Sequence, residues 1–463
     1  MTFALRTIAL LTSLAAPLVA QPLLPLDSLA AFGSPAASPW QIAGDLGGDP
    51  RHDTSLTPLP GTGVLFANAP GPLSLAREFG DLDLEFDFLL TANADASVLL
   101  HGRYAVRLSD GVAASNIPPS ANATRAAGLW QHLHVEFRAP PFDSSGKKVS
   151  PARFAKITLN GFVIHENVTL SDAIFVDEKP LGSLVFSSSR GSVAFRKITT
   201  KAVSANEPAT ASNAPVATKG KGKQSAPKAA KQAPKITKIP VDVTDTIILQ
   251  RGFIPYEPKK RLYAASVGTP AGVHYAYDFE TGALLRVWRG RFIDAGEMWE
   301  GRSANQWAKP TGPALTLNAL PTIAFLASPS ASDWPTTPDP LFSSQGYLVE
   351  PDGQPVFLST LATLSIRDRL APTTGARTLT RTLTVSGSLP PTQSAFVLLA
   401  TASTITPSAD GQSFVVGDRE FYLDLSGKSS VTPVIHTHGG RQWLVVPVTA
   451  STLAQPIVST LVW

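Results

Sequence analysis

The chain has 463 residues, 43% hydrophobic and 16% charged, with a formal net charge of +4 and no cysteine. The absence of cysteine excludes disulfides, thiolate metal sites, a thiol nucleophile and covalently attached c-type haem. No run reaches the ~20 apolar residues of a membrane-spanning helix, while the length leaves ample chain for two hydrophobic cores.

Residues 1–20 read as a secretory signal peptide. Arg6 precedes an apolar run over 8–19 that ends Leu18-Val19-Ala20, before Gln21. The protein is therefore expected to be exported, secreted or periplasmic in a bacterium. Proline-rich chain then leads to Trp40-Gln41-Ile42-Ala43-Gly44, and 63–67 suits a short strand.

Residues 79–110 carry the clearest pattern. Asp81, Asp83, Glu85 and Asp87 alternate with Leu82, Leu84, Phe86 and Phe88. A period of two is a β-strand with one apolar and one acidic face. Residues 92–95 break the pattern, and strand character resumes over 98–100 and 104–108. Alternation by itself favours a solvated acidic face, as antiparallel sheets often have. Residues 129–137 alternate in turn and set His132 and His134 on one face. Parallel imidazoles can ligate a metal, but no third ligand is near in sequence, so a polar outer face is the favoured reading. Further strands are expected over 152–159, 162–168 and 182–186, with Asn160-Gly161 as a two-residue hairpin turn.

These residues resemble the 3-keto-disaccharide hydrolase family, whose pattern reads roughly F-G-D-F-E-L-x-L-E-F and then N-S-G-V-x-x-R-G-x-Y-E-V-Q-x-x-D. The chain supplies Phe79, Gly80, Asp81, Leu84, Asp87 and Phe88, then Val98, Gly102, Arg103, Tyr104, Val106 and Asp110. Trp130 in Gly128-Leu129-Trp130-Gln131, Leu159-Asn160-Gly161 and the closing stretch 193–198 extend the likeness over roughly residues 30–200. It implies a concanavalin-like jelly roll acting on 3-keto-glycosides. A C3 ketone acidifies the neighbouring C–H, so a base could start elimination of the C1 substituent, with water added afterwards. The resemblance points to Asp87 or Asp110 as base and Tyr104 as acid or hydrogen-bond donor. It points to Asp95, His101, Arg103, Arg107 and Trp130 for substrate contact, with no metal and no cofactor. The chain also departs from the pattern. Asp95-Ala96-Ser97 stands for N-S-G, His101 for the arginine, Ala105 for the E and Arg107 for the Q of Y-E-V-Q. The closing L-Q-x-H is Phe186-Ser187-Ser188-Ser189.

Residues 204–240 are alanine, proline, lysine and small polar residues, which cannot bury enough surface to offset their ordering entropy. A disordered linker is expected there. Residues 201–240 hold eight lysines and one glutamate, so the rest of the chain is mildly acidic. Such a tract suits weak electrostatic contact with anionic surfaces. It has no aromatic residue on which bases could stack, which argues against nucleic acid.

Residues 241–463 also read as β, with a hairpin around Glu280-Thr281-Gly282 and turns at Asp410-Gly411, Gly417-Asp418 and Gly439-Gly440. The segment 251–302 resembles a module of large secreted proteins from Planctomycetes and Verrucomicrobia, without an assigned chemistry. Trp288, Trp299, Trp307 and Trp334 could stack on sugars beside Asp278, Asp294, Glu297 and Glu300, although large aromatics mostly fill cores. His436 and His438 form a second parallel imidazole pair, more simply read as exposed. No P-loop, dinucleotide fingerprint, H-E-x-x-H or nucleophile elbow occurs.

The expected architecture is all-β: a signal peptide (1–20), a jelly roll (27–203), the linker (204–240) and a second β-rich, sandwich-like domain (241–463). Three functions stay open: an enzyme on 3-keto-glycosides, a non-catalytic glycan-binding protein, and an exported structural or adhesion protein.

Overall fold

The alternation in the sequence becomes strand almost throughout. The computed structural model describes residues 23–33, 38–49, 51–109, 112–114, 118–170, 178–203, 237–256, 258–300, 306–373, 377–390, 392–425 and 431–463. The expected signal peptide, most of the expected linker and Asp110 lie outside these residues. Among them the helical structure is one turn at Gly296–Trp299 and a 3-10 turn at Ala30–Phe32. The chain is all-β, as its periodicity requires.

The first half contributes β1 (Trp40–Gly47), β2 (Thr57–Ala67), β3 (Gly71–Phe79), β4 (Leu82–Leu90), β5 (Asp95–Leu100) and β6 (Tyr104–Ser109). There follow β7 (Val112–Ala114), β8 (Gln131–Arg138), β9 (Arg153–Leu159), β10 (Phe162–Thr169), β11 (Gly182–Arg190) and β12 (Val193–Ala202). They form a seven-stranded sheet, β1-β2-β12-β4-β8-β9-β10, and a five-stranded sheet, β3-β11-β5-β6-β7. All pairings in both are antiparallel.

The two sheets enclose one core. Phe86 and Phe88 of β4, Phe195 of β12 and Phe137 of β8 meet Val98, Val106, Leu108 and Phe186 from the facing sheet. Phe186 and Phe195 lie edge to face at 4.8 Å, and Phe86 packs against both. Each fully buried phenylalanine contributes about 2–3 kcal/mol, and the edge-to-face geometry suits the ring quadrupoles. Burying every second residue also fixes register, because a one-residue slip would turn the acidic set inward. The Asn160-Gly161 turn has φ of 50° and 80°, and Leu159 pairs directly with Phe162. Two left-handed residues give the turn whose twist matches its strands.

In the second half, a five-stranded sheet holds Val273–Asp278 and Leu284–Arg289, the hairpin expected around Thr281. Tyr275, Tyr277 and Phe279 pack onto Phe357 of an eight-stranded sheet, with Tyr277 and Phe357 stacked at 3.8 Å. Asp368, 1% exposed, accepts from Arg381 Nε at 2.9 Å, Arg381 Nη2 at 2.6 Å and the Tyr277 hydroxyl at 3.1 Å. A buried charge is tolerated when it is paired and hydrogen-bonded in this way.

One hairpin of the eight-stranded sheet reaches the first half. Ser413–Val416 and Phe421–Asp424 are joined by the turn Gly417-Asp418-Arg419-Glu420, with Gly417 and Arg419 left-handed at φ 65° and 53°. The Trp130 amide donates to Arg419 O at 3.3 Å, and Arg419 Nη2 donates to Leu46 O at 2.7 Å. Nearby, the Tyr422 hydroxyl donates to Ala127 O at 3.2 Å, while the Arg51 guanidinium lies 4.0 Å from the Tyr422 ring centre.

Candidate functional site

The outward face of β4 is where predicted site residues gather with new partners. Register fixes those partners. Asp87 stands opposite His132 on β8 and opposite Arg196 on β12. His132 Nδ1 lies 3.0 Å from Asp87 Oδ1, and its Nε2 lies 3.2 Å from Glu85 Oε1. On the other side, Arg196 Nε and Lys197 Nζ each approach Asp87 Oδ2 to 3.1 Å. Consecutive strand residues normally point to opposite faces. Here β12 is irregular between Arg196 and Thr199, and Lys197 is left-handed at φ 51°. Such a bulge re-aims a side chain, so both cations reach one carboxylate.

The protonation states follow. Burial pushes the Asp87 carboxyl up, but hydrogen bonds from His132 and Lys197, with the charges of Lys197 and Arg196, outweigh it. The pKa falls to about 2. The bond to Asp87 raises that of His132, burial opposes it, and the charges of Asp87 and Glu85 add to the rise. His132 thus sits between two carboxylates that favour its charged form. The expected solvated acidic face is instead ion-paired, since Arg138 also takes Asp83 at 2.9 Å. The parallel imidazole of His134 takes no part in the cluster. Among the described residues, no group of three or more His, Asp or Glu side chains is arranged to hold a metal ion.

A cavity of ≈ 260 Å³ opens beside this cluster. Its first-half wall is Asp87, Arg125, Trp130, Gln131, His132, Asn160 and Arg196; Asp418 and Glu420 come from the second half. Trp130, 4% exposed, is roofed by Arg196, whose guanidinium sits 4.0 Å from the ring centre. The stack leaves Arg196 Nη1 and Nη2 to the Asp418 carboxylate at 2.9 and 2.6 Å. Asn160 ties the floor together, accepting from the His132 amide at 2.9 Å and donating to Ala123 O at 2.8 Å. Arg125 Nη1 donates to Trp130 O at 3.1 Å, and burial lowers its pKa.

The other predicted residues belong to the five-stranded sheet. Tyr104, 4% exposed, faces the core. Its hydroxyl donates to the Glu178 carboxylate, which also takes Lys148 at 2.5 Å. Burial and the Glu178 bond push the phenol far above its ordinary value. His101, 8% exposed, packs 5.3 Å from the Phe137 ring, and burial lowers its pKa. Arg103, on the turn after His101, bears on the Tyr104 and Glu178 charges. Asp95 and Arg107 pair with each other at 2.9 Å on the outer face. Of the predicted site residues, then, Asp87 and Trp130 share a site. Tyr104 is separated from them by the sandwich core, so Asp87 and Tyr104 do not form one acid–base pair.

That outer face also gathers the departures from the family pattern. Ser97 pairs with Arg107 and with Ser187, and Leu99 pairs with Ala105 and with Val185. Positions where the family pattern carries E, Q and Q are therefore neighbours in space, occupied here by Ala105, Arg107 and Ser187.

In the second half, Trp288 and Trp334 are 0% and 2% exposed, with Nε1 donating to Phe292 O and Pro321 O at 2.7 and 2.8 Å. Asp278, fully buried, accepts from the Glu280 amide and the Thr281 hydroxyl. They build the core, and of the four tryptophans Trp299 stands out at 54% exposed. His436 and His438 bond through Nδ1 to Ser330 Oγ at 2.6 Å and Asp333 Oδ1 at 2.9 Å, so neighbouring loops engage both imidazoles. A cavity of ≈ 720 Å³ lies between Tyr256, Arg261, Trp334, Arg381 and Trp443.

Residues 40–201 match the family model of the 3-keto-alpha-glucoside-1,2-lyase-like domain. The first half is thus a two-sheet β-sandwich whose residues 40–201 are similar to this domain. No curated protein matches the chain. Among solved structures, a candidate glycosyl hydrolase from Parabacteroides distasonis is 18% identical. That match covers 39% of this chain and 86% of the other, with a TM-score of 0.28. A carbohydrate binding module from Bacillus subtilis is 11% identical over 36% of this chain and 96% of that one, with a TM-score of 0.21. The binding domain of botulinum neurotoxin serotype D is 9% identical, with 91% of each chain covered and a TM-score of 0.23.

Proposed function

We propose that this is an exported glycan-binding protein that holds a glycoside in the junction cavity without turning it over. The family match over 40–201 supports carbohydrate as the ligand class. The observation that carries binding over turnover is the pairing of the lost polar positions. Ala105, Arg107 and Ser187 lie close together around Ser97, where the family pattern carries E, Q and Q. The remaining candidates are poorly suited to proton transfer. Asp87 is held as a carboxylate by His132, Arg196 and Lys197, and Tyr104 holds its proton toward Glu178. A general base needs a pKa near the working pH. Export rests on the apolar run over 8–19 after Arg6.

One observation favours the enzyme reading. His132 lines the cavity between two carboxylates, and an imidazole that released its proton could abstract the C–H beside a C3 ketone.

Incubating the full chain with a 3-keto-disaccharide, while following product by chromatography and binding by calorimetry, separates the two. Saturable binding with no product is expected. Product formation abolished by His132→Gln would establish the enzyme instead.

A further inference from the structure

We infer that the junction cavity takes a carboxylate-bearing sugar, a uronic acid residue, and that Asp418 occupies the carboxylate position in its absence. The inference rests on the glycan-binding reading above and narrows its ligand class. Arg196 presents both terminal nitrogens to the two oxygens of Asp418 at 2.9 and 2.6 Å. That fork is the geometry by which guanidinium recognises a planar carboxylate. It is held ready, because Arg196 Nε is anchored on Asp87 and its plane is stacked on Trp130. The acid now filling it is open to solvent. Asp418 sits on an exposed turn from the other half of the chain, its side chain 60% exposed, with no other ion pair among the described residues. A ligand carboxylate would replace this contact in kind, so the exchange trades one bidentate pair for another.

Charge across the cavity points the same way. The first-half wall sets Arg125, Arg196 and His132, whose charged form its carboxylate neighbours favour, against the single carboxylate Asp87. The second half supplies two acids, Asp418 and Glu420. Arg125 makes no ion pair among the described residues, and Glu420 acts on it only through its charge. With the Asp418 side chain turned out to solvent, the terminal nitrogens of Arg196 lose their carboxylate, and an anionic sugar restores the balance. The ≈ 260 Å³ of space is near the lower bound of roughly 300 Å³ for ligand pockets, which fits one ring rather than a chain. The ring hydroxyls would face the Asn160 and Gln131 amides.

The test is calorimetry on the full chain with methyl glucuronide, methyl glucoside and glucose 6-sulfate. Wild type, Asp418→Asn and Arg196→Lys are compared, with thermal melts confirming that each is folded. Asp418→Asn is expected to tighten glucuronide binding about tenfold more than it changes glucoside binding, a difference of ~1.4 kcal/mol. Arg196→Lys keeps the charge but loses the fork, and is expected to abolish the preference for glucuronide. An unchanged glucuronide Kd in Asp418→Asn, with the glucoside still bound, overturns this inference and leaves glycan binding standing. An equal gain for the 6-sulfate overturns the carboxylate assignment. If no protein binds any of the three sugars, the glycan-binding reading falls and this inference with it.

Discussion

The two outer faces of the first-half sandwich have gone different ways. On the seven-stranded sheet every acid of β4 has an arginine, lysine or histidine partner, and a turn from the second half closes over the cluster. On the five-stranded sheet, Ser97, Ala105 and Ser187 present little polar chemistry, and the Asp95–Arg107 pair is half open to solvent. Both faces rest on the same buried set of alternate residues. A sandwich core specifies the fold without specifying either surface, so one face can lose its polar groups while the other gains an interface.

The faces can be made to fail together or apart. Phe195→Ala removes a fully buried ring that touches Trp40, Phe86 and Phe186. It is expected to cost about 3–5 kcal/mol in denaturant unfolding and to disable both faces. Asp87→Asn strikes one face only. It leaves Arg196 and His132 without their shared carboxylate, and a loss of about 1–3 kcal/mol is expected. Asp95→Asn breaks the exposed pair on the other face, and an effect below about 0.5 kcal/mol is expected from the same melts.

Acid and base should also tell the faces apart. The Asp87 pKa is lowered to about 2 in the folded chain, against ~3.9 when unfolded. Its contribution is therefore present above pH ~3.9 and lost as pH falls toward 2. His132 has a raised folded pKa, so its contribution is complete below the unfolded value of ~6.5 and is lost as pH rises through the folded one. Melting temperatures across this range should fall at both ends. Asp87→Asn should remove the acid-side loss attributable to this carboxyl and weaken the alkaline one, whereas Asp95→Asn should change neither.

Much of the fold was legible because sheet burial has period two. The acidic strip of β4, the Asn160-Gly161 turn and the hairpin around Thr281 follow from local pattern alone. The same rule also bears on Tyr104, which shares a face with Val106 and Leu108 and so points into the core. The family position drew attention to the residue, while strand alternation gave its direction. What pattern could not supply was the partner of each acid. His132 and Arg196 reach Asp87 through pairings 45 and 109 residues away. Asp418 reaches Arg196 across 222 residues. The bulge that turns Lys197 outward depends on a left-handed residue that no glycine announces. The lysine-rich tract, which dominates the charge, is silent on how the two halves meet.

Hydrogen exchange of the full chain, with and without saturating glycoside, tests the central claim most directly. If the junction is the site, protection should rise in Gln131–Arg138 and in the turn at 417–420. Protection confined instead to Asp95–Leu100, Tyr104–Ser109 and Gly182–Arg190 would place the ligand on the five-stranded face and contradict the account.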